Sequence, residues 1–233
     1  MRHIHLEQLE STQKELVKYA KEYRLLPEDK ILISCNEQTG GIGRQNNLWL
    51  SFENSLAFSF TCLPANELTL TPLEIAVHLV KFIEQVFDQK VKLKWPNDIL
   101  LPTGEKCGGI ICQALDGFLA AGIGLNVSNE IREPVEIDKK NKAGFLVKKT
   151  LSSEFQKQIP KEFYNYFSSN RLSNDDIISN WNQLCIHHKK KIRLIDGDNL
   201  YQGTFLGISS IGEAKILIGQ NEKRFVTGSV FID

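Results

Sequence analysis

Apolar positions along the chain follow two periods. Leu73, Ala76, Val77, Val80, Ile83, Val86 and Phe87 recur every three or four residues behind Pro72, which predicts a helix with proline in its first turn. Segment 30–35 (KILISC) is a continuous apolar run and predicts a strand. Leu56, Phe58, Phe60 and Cys62 alternate with small or polar residues, as a half-buried strand would. Further strands are expected at 91–95, 108–113 and 118–125, and a helical region over about 152–185, interrupted near Pro160. Strands and helices mix, so the sheet should be mixed or antiparallel. After the basic stretch His187–Lys191 the pattern changes to short strands (KIRLID, LYQGTFLGI, AKILIG, KRFVTGSVFI), with Asp196-Gly197, Gly212 and Gln220-Asn221 at turns. This predicts an α+β fold in two parts, a main domain over 1–186 and a small C-terminal β-barrel over 187–233. The basic run itself is short and lacks interleaved aromatics, so it reads as a solvated linker and not a nucleic-acid patch.

Charge narrows the functional classes. The 28 basic residues balance 28 acidic ones, so no overall positive field draws nucleic acid, and an anionic ligand must be held by a local cluster. The N-terminal run MRHIHLEQLESTQ lacks the apolar stretch of a secretory signal, and no segment reaches the roughly 20 apolar residues that span a bilayer. A cytoplasmic protein without a membrane partner is expected. Cys35, Cys62, Cys107, Cys112 and Cys185 lack the spacing of a zinc site, and they read as reduced, packed thiols.

Candidate chemistry gathers in four segments before residue 130. Gln38-Thr39-Gly40-Gly41-Ile42-Gly43-Arg44, continuing to Trp49, is a glycine-rich loop directly after a strand. Its glycines let the backbone approach a ligand, Arg44 can pair with a phosphate or carboxylate, and Trp49 offers a stacking face. It is neither a Walker motif nor a dinucleotide fingerprint, and an ordinary turn would look the same. Lys94-Trp95-Pro96-Asn97-Asp98 places an amide and a carboxylate at a strand end; a tight turn beside a core tryptophan is the plainer reading. In Lys106-Cys107-Gly108-Gly109 a lysine precedes a glycine pair that admits a ligand closely, so its ammonium could face a carboxylate under activation. Gly122-Ile123-Gly124-Leu125-Asn126 is a small-residue strand end with one amide side chain, equally compatible with core packing.

In this order and spacing the four segments resemble the biotin protein ligase family, and the resemblance runs from Ser11-Thr12 through the C-terminal unit. It implies the biotin/lipoate ligase catalytic fold and an enzyme that uses ATP to form biotinyl-5′-AMP, then transfers biotin to a lysine of a carrier. The implied partner is the biotin carboxyl carrier protein of acetyl-CoA carboxylase or a similar protein, with biotin and ATP as substrates, Mg2+ riding on ATP, and a homodimer through the central sheet as in many relatives. By the same resemblance Ser11, Thr12 and Gln38, with the backbone near Gly41 and Ile42, would bind the ureido ring, and Gly109 would line its pocket. Trp49 would face the adenine beside Gly43. Arg44 and Lys106 would neutralise the biotin carboxylate and the α-phosphate, with Asn97 and Asn126 near the phosphates and Asp98 at the reacting centre.

Departures from the family pattern bear on the same site. The family usually has arginine where Ile42 and Asn47 stand, asparagine where Gln13 stands and often glutamate where Gln113 stands. The motif begins at Ser11, which leaves no room before it for the helix-turn-helix of repressor-type members, so DNA binding is not expected. Thr12 with Glu15 also reads as a capping box on a helix starting there. Two rivals share these features. A lipoate ligase would bind an apolar dithiolane against the polar Ser11, Thr12 and Gln38, and a non-catalytic module would have no use for Arg44, Lys106 and Asp98.

Overall fold

The computed structural model describes residues 1–44, 47–52, 54–128, 142–148 and 150–232. A seven-stranded mixed sheet is ordered β1 (Arg2–Leu9), β2 (Ile31–Gln38), β5 (Asn54–Cys62), β9 (Leu119–Ser128), β8 (Lys106–Ala114), β7 (Asp98–Leu100) and β6 (Lys92–Lys94). Only β1 and β2 run parallel; the other ladders are antiparallel. The glycine loop contributes a separate hairpin, β3 (Gly41–Ile42) with β4 (Leu48–Trp49). Helix α1 (Thr12–Glu22) packs on one face of the sheet, while α2 (Thr71–Phe87), α3 (Ser153–Ser169) and α4 (Asn174–Leu184) pack on the other.

Strand alternation explains how one face becomes a core and the other a binding surface. In β5, Leu56, Phe58 and Phe60 join the core with α3, where Phe58 and Phe60 meet Phe163 edge-on and Phe60 lies tilted against Phe167. In β9, Ala121, Ile123, Leu125 and Val127 join the same core. The intervening positions are small: Ser55, Ala57 and Ser59 in β5, and Gly122 and Gly124 in β9. Contrary to the half-buried expectation, β5 is buried on both faces from Asn54 to Thr61, because its small side chains lie under α1 and the site cavity and not in solvent. Strand β1, whose mixed polar sequence gave no strand signal, adds to the edge of β2, where His3 and His5 both reach the Ser34 hydroxyl at 2.7 and 2.9 Å.

The helical break falls elsewhere than at Pro160. That residue sits buried inside α3, and the interruption comes after Ser169, where fully buried Glu74 accepts from Arg171 Nε and Nη2 at 2.9 and 2.8 Å and from Leu172 N at 2.7 Å. A paired and hydrogen-bonded carboxylate can stay buried, and here it pins the chain reversal between α3 and α4 to α2.

The C-terminal strands are β10 (Lys191–Asp196), β11 (Asn199–Ile208), β12 (Ala214–Ile218), β13 (Asn221–Phe225) and β14 (Ser229–Ile232), in the order β13-β12-β11-β10-β14. They form a five-stranded antiparallel sheet; among the described residues no ladder joins β13 to β14, so the unit is an open sheet and not a closed barrel. The segment expected as one strand, KRFVTGSVFI, is two strands that turn at Gly228, whose φ of 128° favours glycine. The basic run before this sheet is not solvated throughout: His187 is fully buried, with its ring edge-on to Phe205 at 4.3 Å between centroids. Ile192, Leu194 and Phe205 belong to one apolar core with Trp95 and Trp181, so the two sheets share their interior.

Candidate active site

A cavity of about 580 Å3 opens on the α1 face of the large sheet, where the helix leaves the strands uncovered. Its floor is β9 read at every second residue, Gly122, Gly124 and Asn126, with Gly109 of β8 beside Gly124. Four residues of strand span roughly 13 Å. A Cβ on Gly124 would lie 2.5 Å from Trp49 Cε2, and one on Gly109 would lie 3.5 Å from Trp49 Cζ3. The indole therefore lies on both glycines; a side chain at Gly124 would have to displace it, whereas a Cβ at Gly109 would only touch it.

The Gly122 end is polar and uncharged. Ser11 caps α1, accepting from Lys14 N at 3.5 Å, so the cap is one residue earlier than the Thr12–Glu15 box expected. Thr12 is then the first helical residue and turns inward. Its backbone N and its Oγ1 both donate to Gln38 Oε1, at 2.8 and 3.2 Å, and its Oγ1 lies 2.9 Å from Ser59 Oγ. Gln13, next on the helix, donates from Nε2 to Ala120 O at 3.0 Å, and its Oε1 is buried without a partner among the described residues. Gly41 is not in the cavity wall; it sits behind it, where a Cβ would meet Trp49 O at 2.8 Å and Gln38 Nε2 at 2.9 Å.

Charge gathers toward the Asn126 end. Asp98, opposite Gly109 in the β7–β8 ladder, accepts from Lys106 Nζ at 2.6 Å and lies 3.8 Å from Lys94 Nζ. Lys106 opens β8, its backbone locked by Lys106 N to Lys142 O at 2.9 Å and Gly144 N to Lys106 O at 2.8 Å, with its ammonium 5.7 Å from the Trp49 ring centre. Arg44 also lines the cavity; burial pushes its guanidinium pKa down and the charge of Asp98 opposes the shift. Asn97 donates to Ile110 O at 2.8 Å across the turn that carries the cis Trp95–Pro96 bond. Asn126 Nδ2 lies 3.4 Å from Lys106 O, leaving its Oδ1 buried and unpaired among the described residues.

Residues 6–128, just over half of the chain, match the biotin/lipoate A/B protein ligase family. The chain belongs to that family. Among curated relatives, biotin–protein ligase 2 of Arabidopsis thaliana is 36% identical over 106 residues, 40% of this chain and 32% of that protein. The bifunctional ligase/repressor BirA of Bacillus subtilis (strain 168) is 35% identical over 136 residues, 54% of this chain and 41% of that protein. The chain thus spans about a third to two fifths of the length of these relatives. A solved biotin protein ligase from Aquifex aeolicus, in complex with biotin and ATP, superposes on all of this chain and 98% of its own with a TM-score of 0.78 at 25% identity. The biotin acetyl coenzyme A carboxylase synthetase of Helicobacter pylori, at 21% identity and a TM-score of 0.69, has the same fold.

Within this family fold, Ser11, Thr12, Gln38, Ile42, Gly43, Arg44, Trp49, Asn97, Asp98, Lys106, Gly109 and Asn126 come together in one cavity. Gln13, noted in the sequence as a departure from the family pattern, also lines the cavity, as do Ser59, Lys94 and the segment Gly228–Phe231, which were not anticipated there. Ser59 carried a signal, being the small member of an alternating strand. Lys94 was visible in its motif without a role. Gly228–Phe231 had no signal, because the approach of the C-terminal sheet to the cavity is a matter of tertiary packing: Trp95 Nε1 donates to Gly212 O at 3.1 Å and Lys94 Nζ stands 5.4 Å over the Phe231 ring.

Proposed function

We propose that the protein is an ATP-dependent biotin protein ligase, which forms biotinyl-5′-AMP and then transfers biotin to a lysine of a biotin carboxyl carrier domain. The observation that carries this reading is the sorting of polarity along the cavity floor. Uncharged hydrogen-bonding groups, Thr12, Gln38 and Ser59, stand at Gly122, and three cations, Arg44, Lys94 and Lys106, surround Asp98 toward Asn126. Biotin has the matching order, a neutral cyclic urea at one end and a carboxylate at the other. A lipoyl dithiolane would bring no donor to Gln13 Oε1, an acceptor buried without a partner among the described residues, at a cost of about 1–3 kcal/mol.

In the first step a biotin carboxylate oxygen attacks the α-phosphorus of ATP, and pyrophosphate leaves. The two anions repel by roughly 4 kcal/mol at about 4 Å and an effective dielectric near 20, so cations must lie between them. Lys106 and Arg44 fill that role. Both carboxylate oxygens of Asp98 face lysine ammoniums, which suits it to hold Lys106 and Lys94 in place more than to take a proton. Asn97 and Asn126 stand where amide groups can meet phosphate oxygens, and Trp49 offers its face to the adenine. Asp98 is the one carboxylate among the described cavity residues and is already paired, so magnesium would arrive held by the ATP phosphates, whose charge it neutralises. In the second step a neutral lysine amine attacks the acyl carbon, the bond to the phosphate oxygen breaks, AMP leaves and the amine proton is lost to solvent.

Incubation with MgATP, biotin and a carrier domain of acetyl-CoA carboxylase tests the reading. One biotin per carrier, on its acceptor lysine and absent when ATP is withheld, is the expected mass-spectrometric result. Transfer of lipoate in preference to biotin, or of neither, would overturn it.

A further inference from the structure

Lys94 and Asp98 flank the turn Trp95–Asn97, which joins β6 to β7, two strands of three residues each at the edge of the large sheet. So short a hairpin fixes its own tip weakly, and two ties from outside hold it. Toward the sheet, Asn97 Nδ2 donates to Ile110 O at 2.8 Å and Ile110 N donates to Asn97 O at 3.1 Å, which anchors the Asp98 side of the turn. The Lys94 side is anchored by the other sheet, where buried Trp95 donates from Nε1 to Gly212 O at 3.1 Å.

The β11–β12 turn that supplies this carbonyl is closed on itself by Ser209. Ser209 N donates to Glu213 O at 2.8 Å and Gly212 N to Ser209 O at 3.0 Å; the Ser209 hydroxyl donates to Glu213 Oε2 at 2.9 Å and accepts from Glu213 N at 3.1 Å. The turn is seated on the chain just before α2, where Thr69 Oγ1 donates to Ile211 O at 2.8 Å. Its internal bonds are enough to connect β11 to β12. The outward bonds to Thr69 and Trp95 add nothing to that connection and fix the catalytic turn from outside.

We infer that Ser209 and Trp95 are positioning residues for adenylation: Ser209 holds the Gly212 carbonyl in place, that carbonyl fixes the Trp95 indole, and the indole fixes the turn from which Lys94 and Asp98 set the Lys106 ammonium. The inference rests on the adenylation reading and gives the C-terminal sheet a part in the first chemical step. Ser209 is not among the residues of the cavity wall, so an effect of its replacement on turnover is not a lost ligand contact.

Biotin-dependent exchange of pyrophosphate into ATP, measured in the wild type, Trp95→Phe, Ser209→Ala and Thr227→Ala with a thermal melt of each, tests this. Trp95→Phe removes the donor and should lower kcat about 10- to 100-fold, the loss that a displacement of about 1 Å at a reacting centre brings. Ser209→Ala loosens the turn and should lower kcat roughly 2- to 10-fold, the range of one hydrogen bond. KM for biotin should stay within roughly two-fold in both, since the head-group end of the cavity is untouched. Thr227, whose hydroxyl donates to Asp196 on the exposed side of the same sheet, is the control, and Thr227→Ala should keep the wild-type kcat. In Trp95→Phe/Lys106→Ala the loss should stay within roughly two-fold of that in Lys106→Ala alone, because the ion chain through which Trp95 acts is already broken. Should Trp95→Phe fail to fold, Ser209→Ala/Lys106→Ala carries the same comparison. Wild-type kcat in the folded variants, an equal loss in Thr227→Ala, or losses that multiply with that of Lys106→Ala would overturn the inference. A wild type without biotin-dependent exchange would overturn the proposed function and the inference with it.

Discussion

Replacing Lys106 with alanine is the sharpest single perturbation of the proposed chemistry. The ammonium lies 2.6 Å from Asp98 and forms one end of the Lys94–Asp98–Lys106 chain. Its removal has two effects of the same sign. It withdraws a cation from the carboxylate and α-phosphate, an attraction of roughly 4 kcal/mol per pair at about 4 Å and dielectric near 20. It also leaves the Asp98 charge facing those anions, with Lys94 at 3.8 Å as its remaining partner in the chain. Preorganised groups of this kind are worth about 100- to 1000-fold in turnover, so adenylate formation should fall at least about 100-fold. Because the loss acts on charge that develops during reaction, it should appear mainly in kcat, with biotin affinity reduced less. Biotin-dependent exchange of pyrophosphate into ATP, with calorimetry for biotin and a thermal melt to confirm folding, provides the readout. The double variant Lys106→Ala/Asp98→Asn should be no slower than Lys106→Ala, since the unpaired carboxylate is then gone. Exchange by folded Lys106→Ala within a few-fold of wild type would refute the role.

Other consequences follow from neighbouring features. Asn47 lines the cavity where the family pattern noted in the sequence would place arginine; an added charge-assisted hydrogen bond of about 1.5–3 kcal/mol should slow release of biotinyl-adenylate in Asn47→Arg by roughly 10- to 150-fold, and an equal or faster stopped-flow off-rate would exclude that contact. Ending the chain before His187 removes Gly228–Phe231 from the cavity wall and uncovers Trp95 and Trp181, so the truncated protein should lose its cooperative thermal transition; a soluble fragment with full turnover would contradict the shared core. Burial pushes His78 down to about 4 and His187 down to about 3, below the ordinary value near 6.5. The unfolded chain therefore binds these protons first: stability is full above about pH 6.5 and falls as pH drops toward 4 and 3, at up to about 1.4 kcal/mol per unit for each group. Urea midpoints from pH 7 to 4.5 should show this fall, and His187→Leu should flatten it; an identical pH slope in that variant would rule His187 out.

Legibility in the sequence followed the range of the interactions. Helix α2 and the strands around Ile33, Phe58, Ile110 and Ile123 were readable because their apolar periods are local and strong. Pro160 misled because a proline's cost in a helix is a local quantity, whereas the true break is held by Glu74 nearly a hundred residues away. The first histidine of the basic run, His187, looked solvated because the lysines after it are, yet its partner Phe205 lies on a strand of the next sheet. In the site, residues that announce themselves by glycine spacing or charge were found. Ser59 was not, because its place beside the Thr12–Gln38 bonds appears only once β5 and α1 are packed together.

Selection of biotin for adenylation is the property on which the proposed chemistry of this cavity rests. Pyrophosphate–ATP exchange measured with purified protein and MgATP, with biotin, with lipoate and with neither, tests this in one experiment. Exchange should saturate with biotin and stay at background with lipoate or without an acid. Exchange driven equally by lipoate, or none with biotin at any concentration, would contradict it.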